Sequence, residues 1–202
     1  MVSMILLSAG MSSRFGAPKA LAPIKGKTTV IAGILHMLVE SAVDEIIVVL
    51  GADADLIKPA LLKHKKVKVV YNKDHKFGQT SSFKTGVLSV NRRCRAVLLL
   101  PVDFPLIDKK TIDFLVESFR KNQADIIIPA YQGRKGHPPL FSAQLFKEFL
   151  SLDNETGINE VAKRHPEKVV EVEVNDAGII KSFNTPAEFQ KITQEQRERQ
   201  VY

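Results

Sequence analysis

The side chains best suited to phosphate chemistry in this sequence are Arg14 and Lys19, set in a loop of small residues, and Asp103, set between two prolines. The loop lies in Leu6-Leu-Ser-Ala-Gly-Met-Ser-Ser-Arg-Phe-Gly-Ala-Pro-Lys-Ala-Leu21, where an apolar run gives way to serine, alanine and glycine. Small residues let backbone N–H groups converge on an anion, and glycine permits the closest approach. A forked guanidinium and a point-charge ammonium can then neutralise different phosphates of one polyphosphate. A tight turn carrying two surface cations accounts for the same residues, and the segment alone leaves both readings open. The sequence holds neither G-x-x-x-x-G-K-[ST] nor G-x-G-x-x-G, which excludes a Walker loop and a dinucleotide fingerprint.

Asp103 sits in Leu98-Leu-Leu-Pro-Val-Asp-Phe-Pro-Leu106, with Pro101 and Pro105 restricting the backbone on either side. Ligands of open α/β sheets bind beyond the carboxyl ends of the strands, where this carboxylate would stand. One carboxylate with few acids nearby suits Mg²⁺, which keeps several waters and takes further ligands from substrate phosphates; the alternative is a turn-forming Asp. Asp108, just before a helical pattern, reads as an N-cap. His137, between Gly136 and Pro138 on a basic loop, either meets an acceptor phosphate, acts as general acid or base, or is an ordinary loop histidine. His36, His64, His75 and His165 lack metal-ligand spacing and read as packing or surface residues. Met1, Met4, Met11 and Met37 read as core or loop fillers.

The elements that must position these groups follow from hydrophobic patterning. Ser3–Leu7, Glu45–Leu50, Val67–Tyr71, Ala96–Leu100 and Asp125–Ile128 are nearly continuous apolar runs, as expected of parallel strands covered on both faces. Thr28–Ser41 and Lys109–Lys121 place apolar residues on one helical face, and Asp53–Lys63 and Ser81–Val90 complete the alternation. An α/β sandwich with a mainly parallel sheet is expected. Phe141–Leu152 and Gly157–Arg164 are expected as helices, and Val169–Val174 with Gly178–Ser182 as paired strands around a turn. Thr185, Pro186 and Glu188 announce a last helix through a capping box.

The chain has 202 residues, 45% of them hydrophobic, which excludes a disordered or fibrous protein. One domain covering residues 1–202 is expected, with a core burying roughly 70% of the unfolded surface and a polar segment, 193–202, that frays. The single Cys94 cannot form an internal disulfide, Met1–Gly10 does not read as a signal peptide, and no apolar run reaches the ~20 residues of a membrane span. A cytoplasmic protein without membrane partners is therefore expected. The net charge of +7 fits nucleic acid, an anionic surface or a polyanionic small molecule. The basic runs Lys63–Lys66 and Arg92–Arg95 read as cations at helix C-termini, and no aromatics alternate with them, which argues against nucleic acid.

These residues resemble a known family. Leu7-Ser-Ala-Gly-x-x-Ser-Arg-Phe-Gly-x-Pro-Lys-x-Leu21 is similar to the L-A-A-G-x-S-x-R-M-G-x-x-K-x-L signature of the molybdopterin nucleotidyltransferases, especially the molybdenum cofactor cytidylyltransferases. Gly78-Gln-Thr-Ser-Ser-Phe-Lys-x-Gly86 resembles G-x-S-S-S-L-x-x-G, and Val102-Asp-Phe-Pro-Leu106 resembles D-x-P-L. Gly136-His-Pro138 and Asn184-Thr-Pro-x-x-Phe189 resemble G-H-P and D-T-P-E-D-[LY], so similar motifs run in order along nearly the whole chain.

The resemblance implies a Rossmann-like three-layer fold of the nucleotide-diphospho-sugar transferase kind and a Mg²⁺-dependent transfer of CMP from CTP to molybdenum cofactor, with pyrophosphate released. By position, Leu7, Ser8, Ala9 and Gly10 would contact the nucleotide, Arg14 and Lys19 would stabilise the triphosphate, and Asn72 and Ser82 would meet base or ribose. Asp103 would hold the metal, and Gly136 and His137 the acceptor. Ser8-Ala9-Gly10 is closer to the L-A-A-G of the cytidylyl branch than to the L-A-G-G of the guanylyl branch.

Departures from the pattern keep alternatives in view. The usual D-I-D-T-P is Ser182-Phe-Asn-Thr-Pro186 here, so Asn184 offers a metal only a neutral oxygen. In Leu152-Asp-Asn-Glu-Thr-Gly-Ile-Asn159, Asn159 stands at the family's arginine position. The alternatives are therefore GTP as donor, another small phosphorylated acceptor, or a non-catalytic nucleotide- or cofactor-binding maturation factor. A molybdoenzyme receiving the product is the implied protein partner.

Overall fold

A strand buried on both faces can satisfy its backbone only against neighbouring strands, so the apolar runs assemble into one sheet. The computed structural model describes residues 1–25, 28–122 and 124–199. The chain begins with β1 (Val2–Ser8), a small antiparallel pair β2 (Pro23–Lys25) and β3 (Thr28–Thr29), then α1 (Val30–Val39), β4 (Glu45–Leu50), α2 (Ala54–Ile57) and β5 (Val67–Tyr71). It continues through α3 (Gln79–Ser89), β6 (Ala96–Pro101), α4 (Lys109–Asn122), β7 (Ile126–Tyr131), β8 (Arg134–Lys135) and β9 (Leu140–Ser142). The final elements are α5 (Phe146–Ser151), α6 (Asn159–Arg164), β10 (Val169–Glu173) and α7 (Pro186–Arg199).

Among the described residues the main sheet has the order β10-β7-β9-β6-β1-β4-β5, with β8 turned back on β7. β6, β1, β4 and β5 run parallel, so their carboxyl ends share one edge. Alternate residues of the central strands feed two apolar layers. Met4, Leu6, Ile46, Val48, Leu98 and Leu100 pack with α1, α4 and α7. Ile5, Leu7, Ile47, Val49, Val97 and Leu99 pack with α3, α5 and α6. This is the expected three-layer α/β/α sandwich, closed by helices on both faces of a mainly parallel sheet.

Several expected elements change form. Phe141 is not helical: β9 inserts antiparallel between β6 and β7, and the helix begins only at Phe146, after a 3₁₀ turn capped by the Ser142 hydroxyl. The expected pairing of Val169–Val174 with Gly178–Ser182 does not form. β10 pairs parallel with β7, and Ala177–Ile180 is a 3₁₀ turn. Asp176 explains that turn, since its carboxylate accepts from Gly178 N–H (2.8 Å), Asp108 N–H (2.8 Å) and the Thr111 hydroxyl (2.7 Å). The Asp53–Lys63 helix shortens to α2 and a 3₁₀ turn containing Pro59, which has no N–H to extend the ladder.

The last helix starts as expected. Thr185 Oγ1 accepts from Glu188 N–H at 3.2 Å, and Glu188 Oε2 accepts from the N–H groups of Asn184 and Thr185 at 2.6 and 3.1 Å. These bonds hold the Glu188 carboxyl below its ordinary range, with nearby Arg14 and Lys19 adding to the effect. Of the expected frayed segment, residues 193–199 continue α7, and residues 200–202 lie outside the described residues.

Candidate functional site

At the end of β1 the chain leaves the sheet through Ala9 and Gly10 and folds into a compact loop. Phe15 and Gly16 donate their N–H groups to Ser12 O at 2.9 and 3.2 Å, and Lys19 N–H donates to Ser12 Oγ at 3.2 Å. Ser12 (φ 50°) and Gly16 (φ 77°) take left-handed backbone conformations that the tight path requires. Phe15 then anchors the loop, packing edge-on against Phe183 (5.3 Å between ring centroids) and Phe189 (5.9 Å). The aromatic cluster thus ties the residue after Arg14 to the residue before Asn184.

The end of β6 delivers the acid to the same place. Val102 N–H donates to Leu7 O, and Asp103 O accepts from Phe183 N–H, so β1, the Asp103 turn and the Asn184 segment are stitched together. Lys19 Nζ lies 3.3 Å from Asp103 Oδ2 and 2.8 Å from Asn184 Oδ1, while Arg14 Nη2 donates to that Asn184 oxygen at 3.0 Å. Two cations therefore share one amide oxygen beside one carboxylate. The remaining Asp103 oxygen, Oδ1, is buried without a hydrogen-bond partner.

That orphaned carboxylate oxygen fits a divalent cation, because a buried acceptor with no donor is costly to leave unmet. Among the described residues no three His, Cys, Asp or Glu cluster as a metal cage. A lone carboxylate beside an amide oxygen is a hard oxygen donor set, of the kind that leaves a divalent cation's other positions to phosphates and water.

Leu7, Ser8, Ala9, Gly10, Arg14, Lys19 and Asp103 line one open cleft of about 410 Å³, with Ser82 also in its wall. Asn72 is not in the wall. It stands one layer behind, donating to the hydroxyls of Ser81 (2.9 Å) and Ser82 (3.0 Å), so it positions Ser82 instead of facing the cleft. The sequence reading missed His75, which lines the cleft although it reads as a packing or surface residue. Its signal was its place in Asn72-Lys-Asp-His75, six residues or fewer from the Gly78 motif.

A second cavity of about 370 Å³ adjoins the first, with Gln79 in the wall of both. Gly136 and His137 line it, joined by Asn159 and by the apolar Leu99, Ile128, Phe141 and Ile158. His137 is held by its N–H to Ile179 O (2.9 Å), and its ring lies 4.3 Å from that of Phe104, the neighbour of Asp103. Burial pushes its imidazole below the ordinary value of 6.5, with the Leu99 carbonyl and the Asp103 charge acting the other way. Gly136 has no room for a side chain, since a Cβ there would stand 2.4 Å from Ile179 O.

Comparison with known proteins places this geometry in a family, for residues 4–169 match the MobA-like NTP transferase domain. The chain belongs to that family. MobA-like relatives include a probable molybdenum cofactor guanylyltransferase of Bacillus cereus, 34% identical over 143 residues. The match covers 69% of this chain and 66% of that protein, so the chain spans just under two thirds of that relative's length. The molybdenum cofactor cytidylyltransferase of Escherichia coli is 26% identical over 188 residues, 93% of each chain. A nicotine blue oxidoreductase of Paenarthrobacter nicotinovorans is 32% identical over 152 residues, 71% of this chain and 72% of its own. Among solved structures, the homologue of Mycobacterium tuberculosis Rv0371c from Mycobacterium sp. strain JC1 superposes with a TM-score of 0.84 at 26% identity, covering 96% of both chains. This MobA-like chain is thus a member of a nucleotidyltransferase family whose named relatives include both guanylyl and cytidylyl enzymes.

Proposed function

We propose that the protein transfers CMP from CTP to the phosphate of molybdopterin (molybdenum) cofactor and releases pyrophosphate. The observation that carries this reading is the meeting of Arg14, Lys19, Asp103 and Asn184 at one end of the cleft that Leu7–Gly10 floors. CTP is read as the donor because Ser8-Ala9-Gly10 is closer to the L-A-A-G of the cytidylyl branch than to the L-A-G-G of the guanylyl branch.

Nucleotidyl transfer needs alignment and charge neutralisation more than a covalent protein nucleophile. Arg14 and Lys19 leave Asn184 for the phosphate oxygens of the incoming triphosphate, exchanging a neutral acceptor for charged ones. With the cations so engaged, Asn184 Oδ1 and Asp103 would be the residues that hold the metal. Mg²⁺ held there would neutralise charge on the departing pyrophosphate. Leu7–Gly10 and Ser82 hold the nucleoside part, and Gly136 and His137 hold the acceptor in the second cavity. His137, kept neutral by burial, orients the acceptor phosphate without adding charge. The apolar walls of that cavity suit a flat heterocycle. We place the reaction in the cytoplasm, which the lone, buried Cys94 supports, with a molybdoenzyme as the recipient of the product.

The test is pyrophosphate release with each nucleoside triphosphate, Mg²⁺ and the reduced cofactor. CTP should give the highest kcat/KM. A preference for GTP would replace the donor, product mass with other phosphorylated acceptors would replace the acceptor, and binding without turnover would make the protein a maturation factor.

A further inference from the structure

Among the described residues, two buried side-chain polar atoms have no hydrogen-bond partner, Asp103 Oδ1 and His75 Nδ1, and both residues line the same cleft. Unpaired buried polar atoms are uncommon in native proteins, and here they mark a wall whose polar pairing is not completed by folding.

The two stand at opposite ends, as the strand order shows. β6 and β4 flank β1 on opposite sides. Asp103 follows β6, and with Lys19 and Arg14 it makes the charged end. His75 lies beyond β4: Asn72 N–H donates to Leu50 O at the end of that strand, and Asp74 N–H donates to Asn72 Oδ1. A Cβ at Gly51 would stand 2.5 Å from Ala9 O and 2.7 Å from His75 Cβ, so Ala9 at the start of the loop and the His75 side chain both lie close about Gly51. Ile57 of α2 adds an apolar wall to the cleft. A nucleotide with its phosphates at the cations extends its nucleoside toward this end.

The ring chemistry follows from which nitrogen is shielded. Nδ1 is buried, so the accessible edge of the half-buried ring carries Nε2. With a proton on Nε2, that edge of the ring is a hydrogen-bond donor.

We propose that His75 is a specificity-determining residue that reads the nucleoside end of the substrate, its Nε2–H donating to an acceptor atom of the base. The inference rests on the nucleotidyltransferase reading of the cleft. It makes His75 distinct from Arg14 and Lys19, which bind any polyphosphate.

Calorimetric titration of the full chain with CTP, GTP and inorganic tripolyphosphate, each with Mg²⁺, separates these roles. His75→Ala should weaken the preferred nucleoside triphosphate about tenfold, the effect of one lost hydrogen bond, and leave tripolyphosphate within about twofold. The ratio of CTP to GTP affinity should move, and His75→Gln, whose amide can donate, should recover part of the loss. Unchanged tripolyphosphate binding also shows that the variants are folded. Equal losses for CTP and tripolyphosphate, or no loss for either nucleotide, would overturn the role of His75 while leaving the cleft reading intact. A wild-type chain that binds neither nucleotide nor tripolyphosphate would overturn both.

Discussion

Lys19 and Asp103 lie 84 positions apart in sequence and 3.3 Å apart in space, with side chains 14% and 21% exposed. This degree of burial shields the pair from salt and bulk water, while leaving it open to a ligand in the cleft. The same ammonium also binds Asn184, so the cation is held by two oxygens that a triphosphate would replace.

Replacing Asp103 with Ala should lower kcat by at least about 100-fold, the scale of losing one group that stabilises developing charge. The fold should survive, because the change also removes the orphaned Oδ1. Steady-state kinetics beside a thermal melt checks both, and an active variant would remove Asp103 from the proposed metal site.

Asn184→Asp places a second carboxylate beside Asp103, where Lys19 and Arg14 already converge. Added ligand charge should lower the Mg²⁺ concentration for half-maximal turnover several-fold. A metal titration at saturating nucleotide measures this. An unchanged or higher requirement would show that Asn184 serves the cations and not the metal.

His137 predicts a pH dependence of stability. Burial lowers its folded value below the ordinary 6.5, so the unfolded chain binds the proton more readily. Its contribution is present in full above that ordinary value and is lost as pH falls toward the lowered folded value, at no more than about 1.4 kcal/mol per pH unit for one proton. Denaturant melts from pH 7 to pH 5 should show a shallower decline for His137→Phe than for the wild type. Parallel slopes would deny the effect.

Gly51→Ala tests the close approach beneath the cleft. Its Cβ would stand 2.5 Å from Ala9 O and 2.7 Å from His75 Cβ, so the loop or the histidine must shift. A cost of about 1–3 kcal/mol is expected from overpacking, together with a raised KM for the nucleotide. Urea unfolding and kinetics on the same variant separate a stability effect from a binding effect.

Much of this was legible in one dimension. The strands at Glu45–Leu50 and Val67–Tyr71 have the observed bounds, and the capping box around Thr185 and Glu188 forms as written. These are local signals: an apolar run long enough for one strand, or a hydroxyl three residues from the N–H it caps. Phe141 was misread because its helical spacing with Leu145 and Phe149 is real, whereas its insertion between β6 and β7 depends on strands far from it in sequence. Gly178 could not form a strand because Asp176 bonds to α4, a partner 65 residues away.

The sequence by itself determined the chemistry on offer: small residues and two cations after the first strand, an acid between prolines after another, and the order of motifs that marks the family. Tertiary structure alone decided which groups act on one space. Asn184 lies between two cations because Phe15, Phe183 and Phe189 pack together, Asn72 retreats behind Ser82, and His75 joins the wall where the bare Gly51 leaves room for it beside Ala9. The physical reason is that residue type and spacing fix local backbone preference and polarity. Contacts between remote segments depend instead on how the sheet is ordered and how closely its carboxyl-end loops can pack.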